Sequence, residues 1–280
     1  MSMSWIDLAS KILGCFMLFS CIMGGMTKLK KIDSNVNLFK LPIFSRGKAR
    51  LLEILEEKLQ DAKLTVVFTP NPEQEIQAQK DPIFFRNLVQ ADILIPDGGG
   101  LVLATKILHI FGKSSVIEQK IPGREVVVDL LALAKKKKLR VLLVGGKNYA
   151  AIDSFQLRQQ QIHWVEDWQN LDKIRQIKAE LVFVALGAPR QEAWIMEHRA
   201  LLQKHNAKLV MAVGGSFDYL LGKVPRAPKI ISHWGGEWLF RLLTQPWRAK
   251  RQARLIEFGF LTIKELLKQL FLFGFFWIHA

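Results

Sequence analysis

Asp97 follows the apolar run Asp92-Ile-Leu-Ile-Pro96 and precedes three glycines, Gly98 to Gly100. A carboxylate presented on such a loop can take a proton from a hydroxyl group. The same placement also suits capping of a following helix. Four other apolar runs end in comparable ways. Leu64–Phe68 leads into Thr69-Pro70-Asn71-Pro72, and Arg140–Val144 into Gly145-Gly146. Glu180–Leu186 leads into Gly187-Ala188-Pro189-Arg190-Gln191-Glu192, and Lys208–Val213 into Gly214-Gly215-Ser216-Phe217-Asp218. Glycines let backbone approach a ligand, and helix N-termini offer free N–H groups to phosphate. One glycine pair alone would be a tight turn; five such ends point to a ligand edge.

The runs are short and rich in Val, Ile and Leu, as in strands buried on both faces. Helical patterns lie between them, for example Arg124 to Lys138 and Ala188 to His205. This alternation predicts an α/β, Rossmann-like fold with a largely parallel sheet flanked by helices. Ligands of such sheets sit outside the carboxyl ends of the strands, where these loops fall. The lysines Lys135–Lys138 suit a helix C-terminal turn, where cations meet the negative end of the dipole. A dinucleotide fingerprint is missing, because Gly98-Gly99-Gly100 runs into Leu101-Val102-Leu103. No phosphate-binding GxxxxGK[ST] loop, HExxH or Cys/His cluster occurs.

One base at a ligand edge is what inverting transfer of a sugar from a nucleotide diphosphate requires. Such a reaction must also stabilise the departing diphosphate. The sequence has no Asp-x-Asp to hold a metal for that purpose, so arginines are expected instead. Arg124, Arg226, Arg241, Arg248 and Arg251 are the candidates.

The ordered motifs resemble those of the WecG/TagA/CpsF glycosyltransferases. The matching pieces are Thr69-Pro-Asn71, Ala91–Gly98, Pro122-Gly123-Arg124, Gly187–Trp194 and Val213–Asp218. They continue through Gly222, Arg226-Ala-Pro228, Glu237–Arg241, Pro246 and Arg248, so the resemblance spans roughly residues 36 to 254. It implies transfer of N-acetylmannosamine, its uronic acid or a similar sugar from a UDP-sugar donor. The implied acceptor is a polyprenyl-diphosphate-linked sugar at the cytoplasmic face of the cell membrane. Carried over by position, Asp97 is the base. Thr69, Asn71, Arg124 and Gln191 contact substrate, and Arg241, Arg248 and Arg251 close over the donor diphosphate. No metal and no cofactor is expected, and a homo-oligomer is compatible with this reading. Gly98-Gly99-Gly100 departs from the pattern, since many members have a bulkier residue after the first glycine. Thr69 and Asn71 also suit a local turn, and Gln191 and Glu192 the first turn of a helix.

Three segments are expected. Residues 1–35 form an apolar N-terminal segment, 36–232 the catalytic α/β domain, and 233–280 a basic, aromatic helical appendage that binds membrane. Ile12 to Thr27 is uncharged but shorter than the roughly 20 residues a spanning helix needs. It reads as a peripheral anchor, or as sequence preceding a true start at Met26. Cys15 and Cys21 both lie there, which leaves the rest without disulfides, as in a reducing compartment. In the appendage Trp234, Trp238, Phe240, Trp247 and several arginines precede an apolar stretch with polar breaks. Such segments suit anionic lipid headgroups. A helical pair packed on the core is the other reading.

The chain carries 40 Lys+Arg against 25 Asp+Glu, a net charge of +15. A polyanionic partner follows, and charge does not choose among them. The residues alone therefore leave two non-catalytic readings open, a single-strand nucleic-acid binder and a membrane-peripheral α/β protein. The resemblance favours a UDP-sugar and an anionic membrane surface over nucleic acid.

Overall fold

Strands that must bury both faces can satisfy their backbone groups only on other strands. The computed structural model, which describes residues 34–110, 115–146, 162–220 and 249–278, builds an eight-stranded sheet from them. In chain order the strands are β1 (Asn35–Leu38), β2 (Leu41–Phe44), β3 (Thr65–Phe68) and β4 (Ile93–Leu94). They continue as β5 (Val141–Gly145), β6 (Ile162–Val165), β7 (Leu181–Ala185) and β8 (Leu209–Ala212). Across the sheet they run β1-β2-β4-β3-β8-β7-β5-β6. The β1–β2 pair is antiparallel, and the other neighbours are parallel. The parallel α/β fold expected from the sequence is thus present.

The five apolar runs became β3, β4, β5, β7 and β8. Three strands were not foreseen. β1 and β2 form a hairpin whose turn residues, Phe39 and Lys40, have φ of 47° and 74°. Such turns normally announce themselves with Asn-Gly or Asp-Gly, and neither residue gives that signal. β6 is an edge strand that exposes His163 and half-buries Ile162 and Trp164, so its apolar signal is weak.

The helices are α1 (Lys48–Lys58), α2 (Pro72–Lys80), α3 (Pro82–Val89), α4 (Gly99–Ile110) and α5 (Gly123–Lys137). They continue as α6 (Leu171–Ile177), α7 (Arg190–Glu197), α8 (Arg199–Lys204), α9 (Ser216–Leu220) and α10 (Ala249–Ile278). Lys135, Lys136 and Lys137 occupy the last turn of α5, and Lys138 closes it with φ of 56°. Lys137 pairs with Glu56 of α1 at 2.8 Å. The single helix expected over 188–205 is two, because His198 leaves helical geometry between α7 and α8. Its ring stacks on Trp194, and its Nδ1 lies 2.8 Å from the Trp194 carbonyl.

Among the described residues the appendage contributes one 30-residue helix, α10, and residues 233–248 lie outside them. It packs on α2 and α4. On its inner side Phe258 and Thr262 are buried, with Leu261 and Leu266 partly so. Ile256, Phe260, Ile263, Leu267 and Phe271 face outward. These spacings put the two sets on opposite sides of the helix. Among the described residues no helix is long and apolar enough to cross a membrane. By its contacts, Asn35–Ala280 is a single unit.

α2 buries the Glu75 carboxyl, whose Oε1 accepts from Gln79 Nε2 at 3.1 Å. Burial pushes this acid up to about 8 from an ordinary value of 4.5, against a smaller pull from Gln79. The folded protein therefore keeps a proton that the unfolded chain releases. That stabilisation is complete below about 4.5 and is lost as pH rises through about 8. Glu75→Gln should melt at the same temperature as the parent at pH 5. At pH 9 it should melt several degrees higher, because the folded parent must then hold a charge in its core. Calorimetry at both pH values checks this, and equal melting temperatures at pH 9 would refute it.

Candidate active site

The strands β4, β3, β8 and β7 are consecutive in the sheet and mutually parallel. Their carboxyl ends share one edge, and from it emerge the loops that carry Asp97, Thr69–Asn71, Gly214–Ser216 and Gly187–Gln191. The next strand, β5, ends beside them, with Gly146 N–H donating to the Ala185 carbonyl at 3.0 Å.

The β3 and β4 loops are tied directly. Asp97 N–H donates to the Pro70 carbonyl at 2.9 Å, so the aspartate backbone is fixed to the Thr69–Asn71 loop. The Asp97 side chain is half-buried. Gly98 follows with φ of 137°, a conformation other residues rarely adopt. A β-carbon there would lie 3.2 Å from Pro72 Cδ and 4.0 Å from Asn71 Cβ. Ile121 N–H donates to the Pro96 carbonyl at 2.9 Å, which brings Pro122-Gly123-Arg124 to the same place. A β-carbon on Gly123 would meet Thr69 Cγ2 at 3.1 Å. Thr69, Asn71, Asp97 and the Gly123–Arg124 helix start therefore form one cluster. Arg124 opens α5 and is half-buried.

Asn71 has a structural task as well. Its Oδ1 accepts from Gln74 N–H at 2.9 Å, and Gln74 Oε1 accepts from Asn71 N–H at 3.2 Å. This reciprocal capping box starts α2, with Pro72 in its first turn. The local-turn reading of Asn71 thus holds, and the cap leaves its amide nitrogen for other work.

Gln191 stands two strands away, at the ends of β7 and β8. Its Oε1 accepts from Gly214 N–H at 3.0 Å, which fixes the amide orientation. Its Nε2 then donates to Glu192 Oε1 at 2.9 Å. Both side chains are buried. Burial pushes the Glu192 carboxyl up to about 7, opposed by the Gln191 hydrogen bond. Among the described residues its Oε2 has no hydrogen-bond partner. First-turn polarity was legible for Glu192, but its burial was not, since an acid beside a helix start usually faces water. Only the density of apolar neighbours such as Trp194 and Ile195 hinted at it.

Arg241 and Arg248, like Arg226, Trp234 and Trp238, lie outside the described residues. Arg251 belongs to the first turn of α10, and its side chain is not among those described. Among the described residues no three His, Cys, Asp or Glu side chains converge as metal ligands.

The model of the Glycosyl transferase WecG/TagA/CpsF family matches residues 36–271. The chain belongs to this family. It is 30% identical over 240 residues to an N-acetylglucosaminyldiphosphoundecaprenol N-acetyl-beta-D-mannosaminyltransferase of Bacillus subtilis (strain 168). That match covers 81% of this chain and 91% of the relative. A protein of the same description from Bacillus spizizenii (strain ATCC 23059 / NRRL B-14472 / W23) is 31% identical over 208 residues. There the match covers 70% of this chain and 78% of the relative. As a WecG/TagA/CpsF protein the chain is a glycosyltransferase. The family match runs into α10, so the C-terminal helix is part of the family's pattern.

The capping role of Asn71 and its expected contact with substrate can be separated by substitution. Asn71→Ala should lower the melting temperature by roughly 2–4 °C, the loss of about 1 kcal/mol of capping. Asn71→Asp keeps a good cap, so its melting temperature should match the parent's while turnover falls. A melting temperature that drops equally in both variants would show that the cap does not hold α2.

Proposed function

We propose that this glycosyltransferase moves an N-acetylmannosamine-type sugar from a UDP-sugar to a polyprenyl-diphosphate-linked N-acetylglucosamine. The relatives' names support this pair of substrates. The observation that carries the site is the tie between Asp97 and the Thr69–Asn71 loop, beside the start of α5. Asp97 takes the proton of the attacking acceptor hydroxyl. That oxygen bonds to the donor's anomeric carbon from the face opposite UDP. The bond from that carbon to the phosphate oxygen breaks, UDP leaves, and the configuration inverts. Thr69, Asn71, Arg124 and Gln191 hold the substrates. Arg241, Arg248 and Arg251 neutralise the departing diphosphate, so the reaction needs no metal.

The acceptor is lipid-linked, and α10 suits a peripheral protein that meets it at the cytoplasmic face. Phe260, Leu267 and Phe271 are 68%, 59% and 76% exposed and line one surface with Ile263, Lys264 and Lys268. An apolar stripe bordered by lysines matches the boundary of an anionic bilayer.

Two experiments test this reading. With UDP-N-acetylmannosamine and a polyprenyl-diphosphate-N-acetylglucosamine analogue, Asp97→Asn should lose roughly 100- to 10,000-fold in turnover while staying folded. The parent should be unaffected by chelator. An active Asp97→Asn would sink the base assignment, and abolition of turnover by chelator would sink the arginine reading. Separately, replacing Phe260, Leu267 and Phe271 together by Ser should weaken binding to anionic vesicles by tenfold or more, as expected from roughly this much lost apolar area. Unchanged sedimentation with vesicles would rule out this face.

A further inference from the structure

The glycine triplet after Asp97 and the burial of Phe258 are not used by the chemistry above. They meet at one point. A β-carbon on Gly100 would lie 2.7 Å from Pro72 Cγ and 3.8 Å from Phe258 Cε1. The α4 start, the first turn of α2 and the Phe258 ring are therefore in mutual contact. Phe258 is 5% exposed and belongs to the main core. Its ring also meets Phe39, in the β1–β2 turn, edge-on at 5.6 Å and 87°. α10 is held around this point by an ion pair from Lys80 to Glu257 and by Arg254 reaching Gln77 at 3.5 Å.

Two walls of this socket continue directly into the site. Pro72 follows Asn71, and Gly100 stands three residues after Asp97. Asp97 and Asn71 are themselves tied through the Pro70 carbonyl and the Gly98 contact. The Phe258 ring thus backs both loops at once, from a helix that is more than 150 residues away in sequence.

We propose that Phe258 is a positioning residue that carries the seating of α10 to the loop holding Asp97. The inference rests on the reading of Asp97 as the base. Gly100 is the necessary counterpart, because any side chain there would push Pro72 or the α4 start aside. With the ring in place, the Asp97 loop is pressed against the Asn71 loop. Without it, the start of α4 loses its support and the carboxylate drifts from the hydroxyl it must deprotonate. Substrate contacts made by Gln191 at the β7 and β8 ends are untouched. The effect therefore falls on kcat more than on KM.

The test uses the full chain, UDP-N-acetylmannosamine and the polyprenyl-diphosphate-N-acetylglucosamine analogue. Phe258→Ala should lower kcat roughly 10- to 100-fold, the cost of a misplaced catalytic group, with donor KM changed less than about threefold. Phe258→Leu should recover activity to within about threefold of the parent, because it refills most of the socket. Gly100→Ala should reproduce the kcat loss from the opposite wall. In an Asp97→Asn background, Phe258→Ala should change the residual rate less than about twofold, since its route runs through the base. An unchanged kcat in folded Phe258→Ala would overturn the proposal. So would an equal fold-loss with and without Asp97. If Phe258→Ala does not fold, Phe258→Val and Gly100→Ala take its place, and a parental kcat in both would overturn the proposal. Turnover of Asp97→Asn alone judges the base assignment, so the two failures are read from different lanes of the same experiment.

Discussion

A strand covered on both faces has no water to satisfy its backbone, so β3, β5, β7 and β8 can exist only within a ladder. Their side chains are almost wholly buried: all four residues of β3 and β8, all five of β5, and four of the five in β7. Register in such a ladder is strict, because slipping by one residue would exchange the two faces. That strictness makes the carboxyl edge a fixed platform. Val67 pairs with Ile93 and Met211, and Phe183 with Met211. Loops that are distant in sequence are therefore held side by side by backbone hydrogen bonds.

On this platform, short polar ties and close steric contacts do the finer positioning. The Pro70 and Pro96 carbonyls accept from Asp97 and Ile121, and the first turn of α2 packs against Gly98 and Gly100. Proline serves twice here. It starts α2 without a wasted N–H, and its ring gives the glycines a rigid surface to lie against. At the other end of the platform a buried amide and a buried acid, Gln191 and Glu192, clamp the β7 and β8 loops. A carboxyl enclosed this way favours its neutral form because low-dielectric surroundings penalise its charge.

α10 joins two demands on one helix. Its inner face fills the socket between α2 and α4, and its outer face leaves large apolar side chains in water. Soluble proteins seldom expose such a stripe without a partner for it. Both faces belong to one helix, so the side that faces solvent and the side that meets Gly100 and Pro72 share a single backbone.

Much of this was legible in the residues. Apolar runs of five to seven residues, each ending in glycine or a compact polar group, determined the parallel sheet and made Asp97 a candidate at its carboxyl edge, whereas Thr69, Asn71, Arg124 and Gln191 became substrate-contact candidates through the family resemblance. These are local signals, set by burial on both faces and by backbone freedom at turns. The hairpin at Phe39-Lys40 escaped because its turn residues adopt positive φ without the usual glycine or asparagine, and β6 because an edge strand needs little apolar character. The strand order, the burial of Glu75 and Glu192, and the meeting of Phe258 with Gly100 were decided by tertiary structure alone. Each depends on which surfaces come together across long stretches of sequence, or on what covers a charged side chain. Local periodicity carries no record of that, because long-range contacts are selected by the packing of the whole core.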